Sequence, residues 1–325
     1  MQLSRQHPFV VLAISRVNMA DVTIRFFQPH QSLSPYVSTY YLTEVDADIG
    51  ERVTDHLHPE WANLRFMRGV LPLASIGAGP LQEVHKFSVT GPTSRACQFA
   101  AGKMRAWGIG LLPLGWSRFI GASADRYADR FVDGAEDLAF EQLATLAPAL
   151  NRDGADTKQE VGAIDSHLIA LLRQPSDDVE QRRVDIAHKA LLDSEVSTVA
   201  QFSDLVGMSP RTAERVSRRA FGFAPKLLLR RQRFLRSLSQ FMLDPSMRWI
   251  NTLDSHYHDQ AHFSRDFSRF MGMSAREYAR LDHPIMGAAA FARMAAAGAA
   301  MQALHRQAGW RSPVAFSFGL IGAFL

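Results

Sequence analysis

The chain has 325 residues, 47% of them hydrophobic, enough for two domains with separate cores. Its net charge is +4, from 36 basic and 32 acidic residues, and its single cysteine, Cys97, excludes an intrachain disulfide framework or a cysteine zinc site. No run approaches ~18 uninterrupted apolar residues, so a transmembrane helix is not expected, and the lone cysteine points to a reducing cytoplasm.

Met19 precedes the first patterned segment, so residues 1–18 read as an extension or a misassigned start, and the apolar run from Pro8 to Ile14 makes a poor signal peptide. Residues 19–175 form the first expected domain. Val22–Phe27, Tyr36–Leu42, Ala62–Phe66 and Trp107–Leu112 are β-branched or aromatic runs bounded by Pro and Gly, which predicts a small β barrel or sandwich. From Ala122 to Arg173 the pattern turns helical. Leu138, Leu143, Leu146 and Leu150, then Ile164, Leu168, Leu171 and Leu172, predict an antiparallel pair joined by polar residues around Gly154. Such a pair serves equally well as a homodimer interface or as a helical cap on the barrel. Gln174–Asp178 reads as the interdomain linker.

Residues 180–283 form an all-α domain in this reading. Val199, Phe202, Leu205 and Val206 give one short helix its buried stripe, and Gly207 ends it. Ser209 then caps a second helix with Pro210 in its first turn. Ala213, Val216 and Ala220 point inward there, and Arg211, Arg215 and Arg218 line the outer face. A long helix from Pro225 to about Met242 comes next, about 27 Å at ~1.5 Å per residue. The pattern then recurs. Asp259 caps a helix with Phe263, Phe267 and Phe270 on one face and His262, Arg265 and Arg269 on the other, closed by Gly272 and the new cap Ser274. Two helix-turn-helix units on a strut of that length suit successive turns of one duplex, ~34 Å apart. Residues 284–325 form an Ala-rich tail whose helix would have little to bury, ending in an apolar run from Ala315 to Leu325.

Charge obeys the same division. Residues 180–283 hold 17 basic and 12 acidic residues, net +5, which leaves 19 against 20 elsewhere. Localised positive charge is the footprint of a polyanionic partner. Arg230, Arg231, Arg233 and Arg236 on the strut are candidates for phosphate contact or for interdomain salt bridges.

These motifs resemble the AraC-type (AraC/XylS) transcriptional regulators. Tyr257-His258-Asp259-Gln260-Ala261-His262-Phe263 with Arg265-Asp266-Phe267 is similar to that family's second unit. Met208-Ser209-Pro210-Arg211-Thr212 with Glu214-Arg215 and Gly222 is similar to its first. The resemblance implies a DNA-binding transcription factor reading adjacent major-groove segments of double-stranded DNA. It assigns base readout to Arg211, Glu214 and Arg215, and to Gln260, Ala261, His262, Ser264 and Arg265, with Ser209, Thr212, Arg218 and Arg269 beside them. The chain departs from the family at Ala213 and Ser217, where a Leu and an aromatic are usual, and at His256, where a turn Gly is usual. Those departures predict a loosely packed first unit, unless Phe221 and Phe223 fill it, and a strained turn in the second. A weaker resemblance, through Leu33-Ser34-Pro35-Tyr36-Val37, Gly91-Pro92-Thr93 and Gly108-Ile109-Gly110-Leu111-Leu112-Pro113, implies a cupin-like effector or dimerisation module for a small molecule.

Two alternatives compete. A non-specific architectural DNA binder would spread its basic residues instead of aligning them on paired helices. A metal-dependent, cupin-like enzyme would use His56, His58 and His85, but Pro59 comes at once and no carboxylate besides Glu60 stands at ligand spacing, so a paired surface histidine is the reading adopted. No nucleotide or nucleophile motif occurs, so neither a cofactor nor catalysis is expected. Cys97 reads as a small core residue.

Overall fold

The computed structural model describes residues 11–17, 20–152, 154, 156–246 and 248–306. Its strands in chain order are β1 (Val11–Val17), β2 (Ala20–Phe27), β3 (Val37–Asp46), β4 (Val53–Leu57), β5 (Asn63–Gly69), β6 (Leu73–Ile76), β7 (Gln82–Glu83), β8 (Phe87–Thr90), β9 (Cys97–Ala101), β10 (Met104–Leu111) and β11 (Phe131–Asp133). They pair antiparallel in two sheets, β1-β2-β3-β10-β5-β8-β11 and β4-β9-β6-β7. Strand β1 extends the larger sheet from within the segment read as an extension.

The helices are α1 (Pro113–Phe119), α2 (Glu141–Ala144), α3 (Ala147–Leu150), α4 (Thr157–Leu172), α5 (Asp178–Leu192), α6 (Val199–Val206), α7 (Pro210–Phe221), α8 (Pro225–Leu243), α9 (Gln260–Met271), α10 (Ala275–Tyr278) and α11 (Met286–Ala297). An α+β molecule results, a β-rich N-terminal half succeeded by a helical C-terminal half.

Strand alternation sorts the larger sheet into two environments. On one face Leu42, Leu64, Phe66, Val89, Trp107, Ile109 and Leu111 meet Leu143, Leu146, Leu150, Ile164, Leu168 and Leu171 of the helical layer. The other face, with Thr39, Tyr41, Asn63, Arg65, Ser88 and Thr90, looks into a cavity closed by the smaller sheet. Gly108 makes that geometry possible, because a Cβ there would lie about 2.0 Å from the Tyr41 ring crossing the strand.

The expected antiparallel helical pair is one helix and two single turns. Pro148 cannot continue a helix from the preceding turn, so α2 and α3 are separate, and Leu138 is exposed. Apart from Leu138, the residues that suggested a dimer interface pack inside the chain against the sheet.

The two halves share a core. Trp61, Ala96, Leu112 and Leu114 of the β half pack in one cluster with Val184, Leu191, Phe202, Val216, Phe221 and Phe234 of the helical half. The Ala-rich segment also has a place. Ala289, Ala292 and Ala296 of α11 lie with Ala20, Val22, Ile24 and Phe26, so small side chains let the helix sit close on the sheet instead of leaving it nothing to bury. Asp55 starts α11 by accepting from the amides of Ile285 (2.9 Å) and Met286 (2.8 Å). Burial alone would raise the Asp55 carboxyl, but hydrogen bonds from His283 and backbone amides outweigh it and hold it below its usual value. The apolar run from Ala315 to Leu325 lies outside the described residues.

Candidate DNA interface and the cavity between the sheets

Each unit is built by its caps. Thr198 and Gln201 form a capping box at the start of α6, and Gly207 ends that helix at φ 63°. The Ser209 side chain accepts from the Thr212 amide to open α7, which closes at Gly222 with φ 82°. In the second unit Asp259 accepts from the His262 amide, and Gly272 closes α9 at φ 76°. The helix before α9 is only a 3-10 turn, Trp249–Thr252. His256 is not at positive φ, so the expected strain is absent. Its amide instead bonds the Asp254 carboxylate at 3.0 Å.

The predicted readout residues divide by exposure. On α7, Arg211, Glu214, Arg215 and Arg218 are exposed with Ser209 before them, and Thr212 is half-buried. Arg218 pairs with Glu214 at 3.0 Å, and Arg215 lies 3.7 Å from Glu180 of α5. On α9, Gln260, Ala261, Ser264, Arg265 and Arg269 are exposed. His262 departs from this face. It is half-buried, with Nε2 3.0 Å from Arg233 Nη2 and its ring edge-on to Tyr257. Desolvation and the Arg233 charge both lower its pKa, so the neutral form is favoured.

The strut arginines have protein partners. Arg230 and Arg233 both reach the fully buried Asp266 carboxylate, at 2.6 and 3.1 Å, and Tyr257 Oη donates to it at 3.0 Å. Arg236 pairs with Asp254. Arg231 is 0% exposed, lies 4.0 Å over the Trp61 ring and donates to the carbonyls of Thr93 (2.8 Å) and Glu60 (3.3 Å). Arg231 therefore has no surface for a phosphate; of the two roles open to it, only the interdomain one fits. Asp266 was missed as a structural hub, although an acid inside a basic run was the signal available.

The β8–β9 loop meets both units. Pro92 sits about 3.2 Å from where a Cβ on Gly222, the α7 cap, would stand, the Thr93 carbonyl takes Arg231, and the Ala96 amide donates to Phe270 of α9 at 2.6 Å. His58, expected as a surface residue, is buried instead, its Nε2 2.7 Å from Tyr278 Oη; burial pushes its pKa down to about 4. Among the described residues no group of three or more His, Cys, Asp or Glu could hold a metal. His85 lies 3.2 Å from Asp133, and burial pushes the Cys97 thiol up to about 12.

The cavity between the sheets has a volume of about 170 Å³. Its walls are mostly apolar, with a polar patch made by Tyr41, Asn63, Thr90 and the Arg65–Glu60 ion pair at 2.6 Å. Helix α11 and the segment after it close one side through Ala289, Arg293, Met301 and Gln302.

Two capped helix-turn-helix units sharing one helical strut define a DNA-binding helical domain. The family model described as "Helix-turn-helix domain" matches residues 202–281. That segment is an AraC-type helix-turn-helix domain. No curated protein sequence matches the chain. Among solved structures, ToxT from Vibrio cholerae is similar at 12% identity, covering 70% of this chain and 94% of that one, with TM-score 0.39. ToxT from Vibrio cholerae O395 bound to (E)-4-(8-methylnaphthalen-1-yl)but-3-enoic acid is similar at 10% identity, 70% and 94% coverage and TM-score 0.38. The AraC-like transcriptional activator CuxR is similar at 11% identity, 67% and 81% coverage and TM-score 0.28. Among the described residues no helix is long and apolar enough to cross a membrane.

Proposed function

We propose that the chain is a sequence-specific transcription factor whose α7 and α9 enter successive major-groove segments and whose β half houses a small-molecule effector. The observation that carries this reading is the matched pair of recognition helices. Each buries an apolar face in one shared core and leaves basic side chains exposed. Arg211, Glu214 and Arg215 read bases from α7, and Gln260, Ala261, Ser264 and Arg265 read them from α9. Ser209, Thr212, Arg218 and Arg269 contact the flanking backbone, and His262 orients through Arg233. The cavity between the sheets supports the effector role, since a small-molecule site is a concave, mostly apolar space with a few polar groups.

Selection of bound DNA from a random pool tests the reading. It predicts a bipartite consensus with half-sites about ten base pairs apart. Recovery of no consensus would favour an architectural binder and overturn sequence-specific readout.

A further inference from the structure

His262 lies in the first turn of α9, where its amide bonds the capping Asp259 carboxylate at 2.6 Å. Three contacts fix its ring. Nε2 stands 3.0 Å from Arg233 Nη2, Tyr257 meets the ring edge-on at 5.1 Å between centroids, and His258 stacks on it at 5.8 Å. Arg233 is itself held from several sides. Its guanidinium lies 4.5 Å over the Tyr257 ring, Nη1 donates to the His256 carbonyl at 3.5 Å, and Nη2 donates to the fully buried Asp266 carboxylate at 3.1 Å. Nη2 carries two hydrogens, so Asp266 takes one and His262 the other. A guanidinium has no acceptor, so Nε2 of His262 must accept and cannot hold the proton of the neutral ring. Desolvation and the Arg233 charge lower the pKa of this histidine, which favours the neutral ring with its one proton on Nδ1. Nδ1 is bonded to nothing among the described residues and remains open to solvent. The charge of exposed Arg265, about one turn further on, acts on the same ring.

We infer that His262 reads the major groove as a hydrogen-bond donor only, through Nδ1–H, with Arg233 as the positioning residue that fixes this tautomer. This deepens the groove reading proposed above and rests on it. An unconstrained neutral histidine donates from one nitrogen and accepts at the other, in either arrangement, so by itself it selects no base. With Nε2 spent on Arg233, a single donor remains. It can meet guanine O6 or N7, adenine N7 or thymine O4, whereas cytosine presents only its N4 amino donor in that groove. Cytosine is therefore the base that His262 refuses at the position it faces in the α9 half-site. Arg265 on the same face is also donor-only, so the two side chains together favour an acceptor-rich edge. Buried Asp266 thus acts on the duplex through Arg233 and His262 without touching it.

Two measurements on the full chain test this. Nitrogen-15 NMR of the histidine rings, without DNA and near neutral pH, should show His262 protonated at Nδ1 and bare at Nε2, its signal assigned by loss in His262→Phe. In Arg233→Met the same ring should lose that preference and show both nitrogens partly protonated. Selection of DNA from a random pool is then repeated with His262→Phe, which keeps a ring and loses the donor. Cytosine should rise by about threefold or more at one position of the α9 half-site while the rest of the consensus stays. A parent ring protonated at Nε2, an Arg233→Met ring of unchanged tautomer, or a His262→Phe consensus identical to the parent's would each overturn the inference. If Arg233→Met does not fold, the parent ring decides the tautomer by itself. A parent that selects no consensus at all would overturn groove reading, whatever the tautomer, whereas a parent consensus untouched by His262→Phe would leave groove reading intact.

Discussion

The two helix-turn-helix units are stabilised in different ways. The second draws on its own aromatics: Phe263, Phe267 and Phe270 pack on Phe234 of the strut, with Tyr257 and Tyr278 alongside, and Asp266 ties two strut arginines to α9, while the β half adds hydrogen bonds from Ala96 to Phe270 and between His58 and Tyr278. The first has small residues inside α7, Ala213, Ser217 and Ala220, and leans on the β half. Trp61 packs edge-on against Phe221 at 5.5 Å, and Pro92 and Ala124 close on the Gly222 cap. The gap expected from the missing Leu and aromatic is therefore met from another domain as well as by Phe221. A unit that takes its packing from a neighbour has its position set by that neighbour more than one that fills its own interior.

Trp61→Ala is the strongest way to break this contrast. Truncating a fully buried indole should cost about 3–5 kcal/mol in denaturant unfolding. Footprinting should show the α7 half-site weakened more than the α9 half-site, and equal weakening would erase the asymmetry. Asp266→Asn probes the other side. It leaves two partly buried guanidinium groups without their carboxylate, a loss of about 3 kcal/mol, read by the same unfolding experiment and concentrated in the second unit. Exposed Arg215 and Arg265 should matter to DNA and little to folding. Arg215→Ala and Arg265→Ala should each lose about 1–3 kcal/mol on the selected site while binding random DNA almost as before, measured by fluorescence titration.

A further effect appears only on acidification. His188 sits in the seam beside Trp61 and Phe221, and burial, aided by Lys189 and Arg231, pushes its pKa down to about 3. Its folded pKa is below the unfolded value of about 6.5, so below that pH the unfolded chain takes up a proton that the folded chain refuses. Stability is complete above about pH 6.5 and falls towards pH 3, by at most about 1.4 kcal/mol per pH unit from this group. Melting curves of His188→Leu should show a shallower acid slope than the parent, and an unchanged slope would place the sensitivity elsewhere.

The recognition helices were the most legible part of the sequence, because caps and a 3.6-residue stripe are local signals that survive without tertiary context. Strands β2, β3, β5 and β10 were legible through their β-branched and aromatic runs. Strands β4, β6, β8 and β9 were not, since they are short and point polar side chains such as Asp55, Ser75, Ser88 and Thr90 into the interior. The roles of His58, Arg231 and Arg293 lay beyond pattern reading for a common reason. Each is polar by type and interior by position, and only partners distant in sequence, Tyr278, Trp61 and Thr39, decide that. Helix α11 misled for the opposite reason, since alanines look uncommitted until a flat surface comes close enough to use them.

Glu60 joins the two halves within a single residue. Its carboxylate faces the cavity and its carbonyl receives Arg231 from the strut, while Pro59 stiffens the chain just before it. One residue thus belongs at once to the wall of the cavity and to the seam that carries the strut.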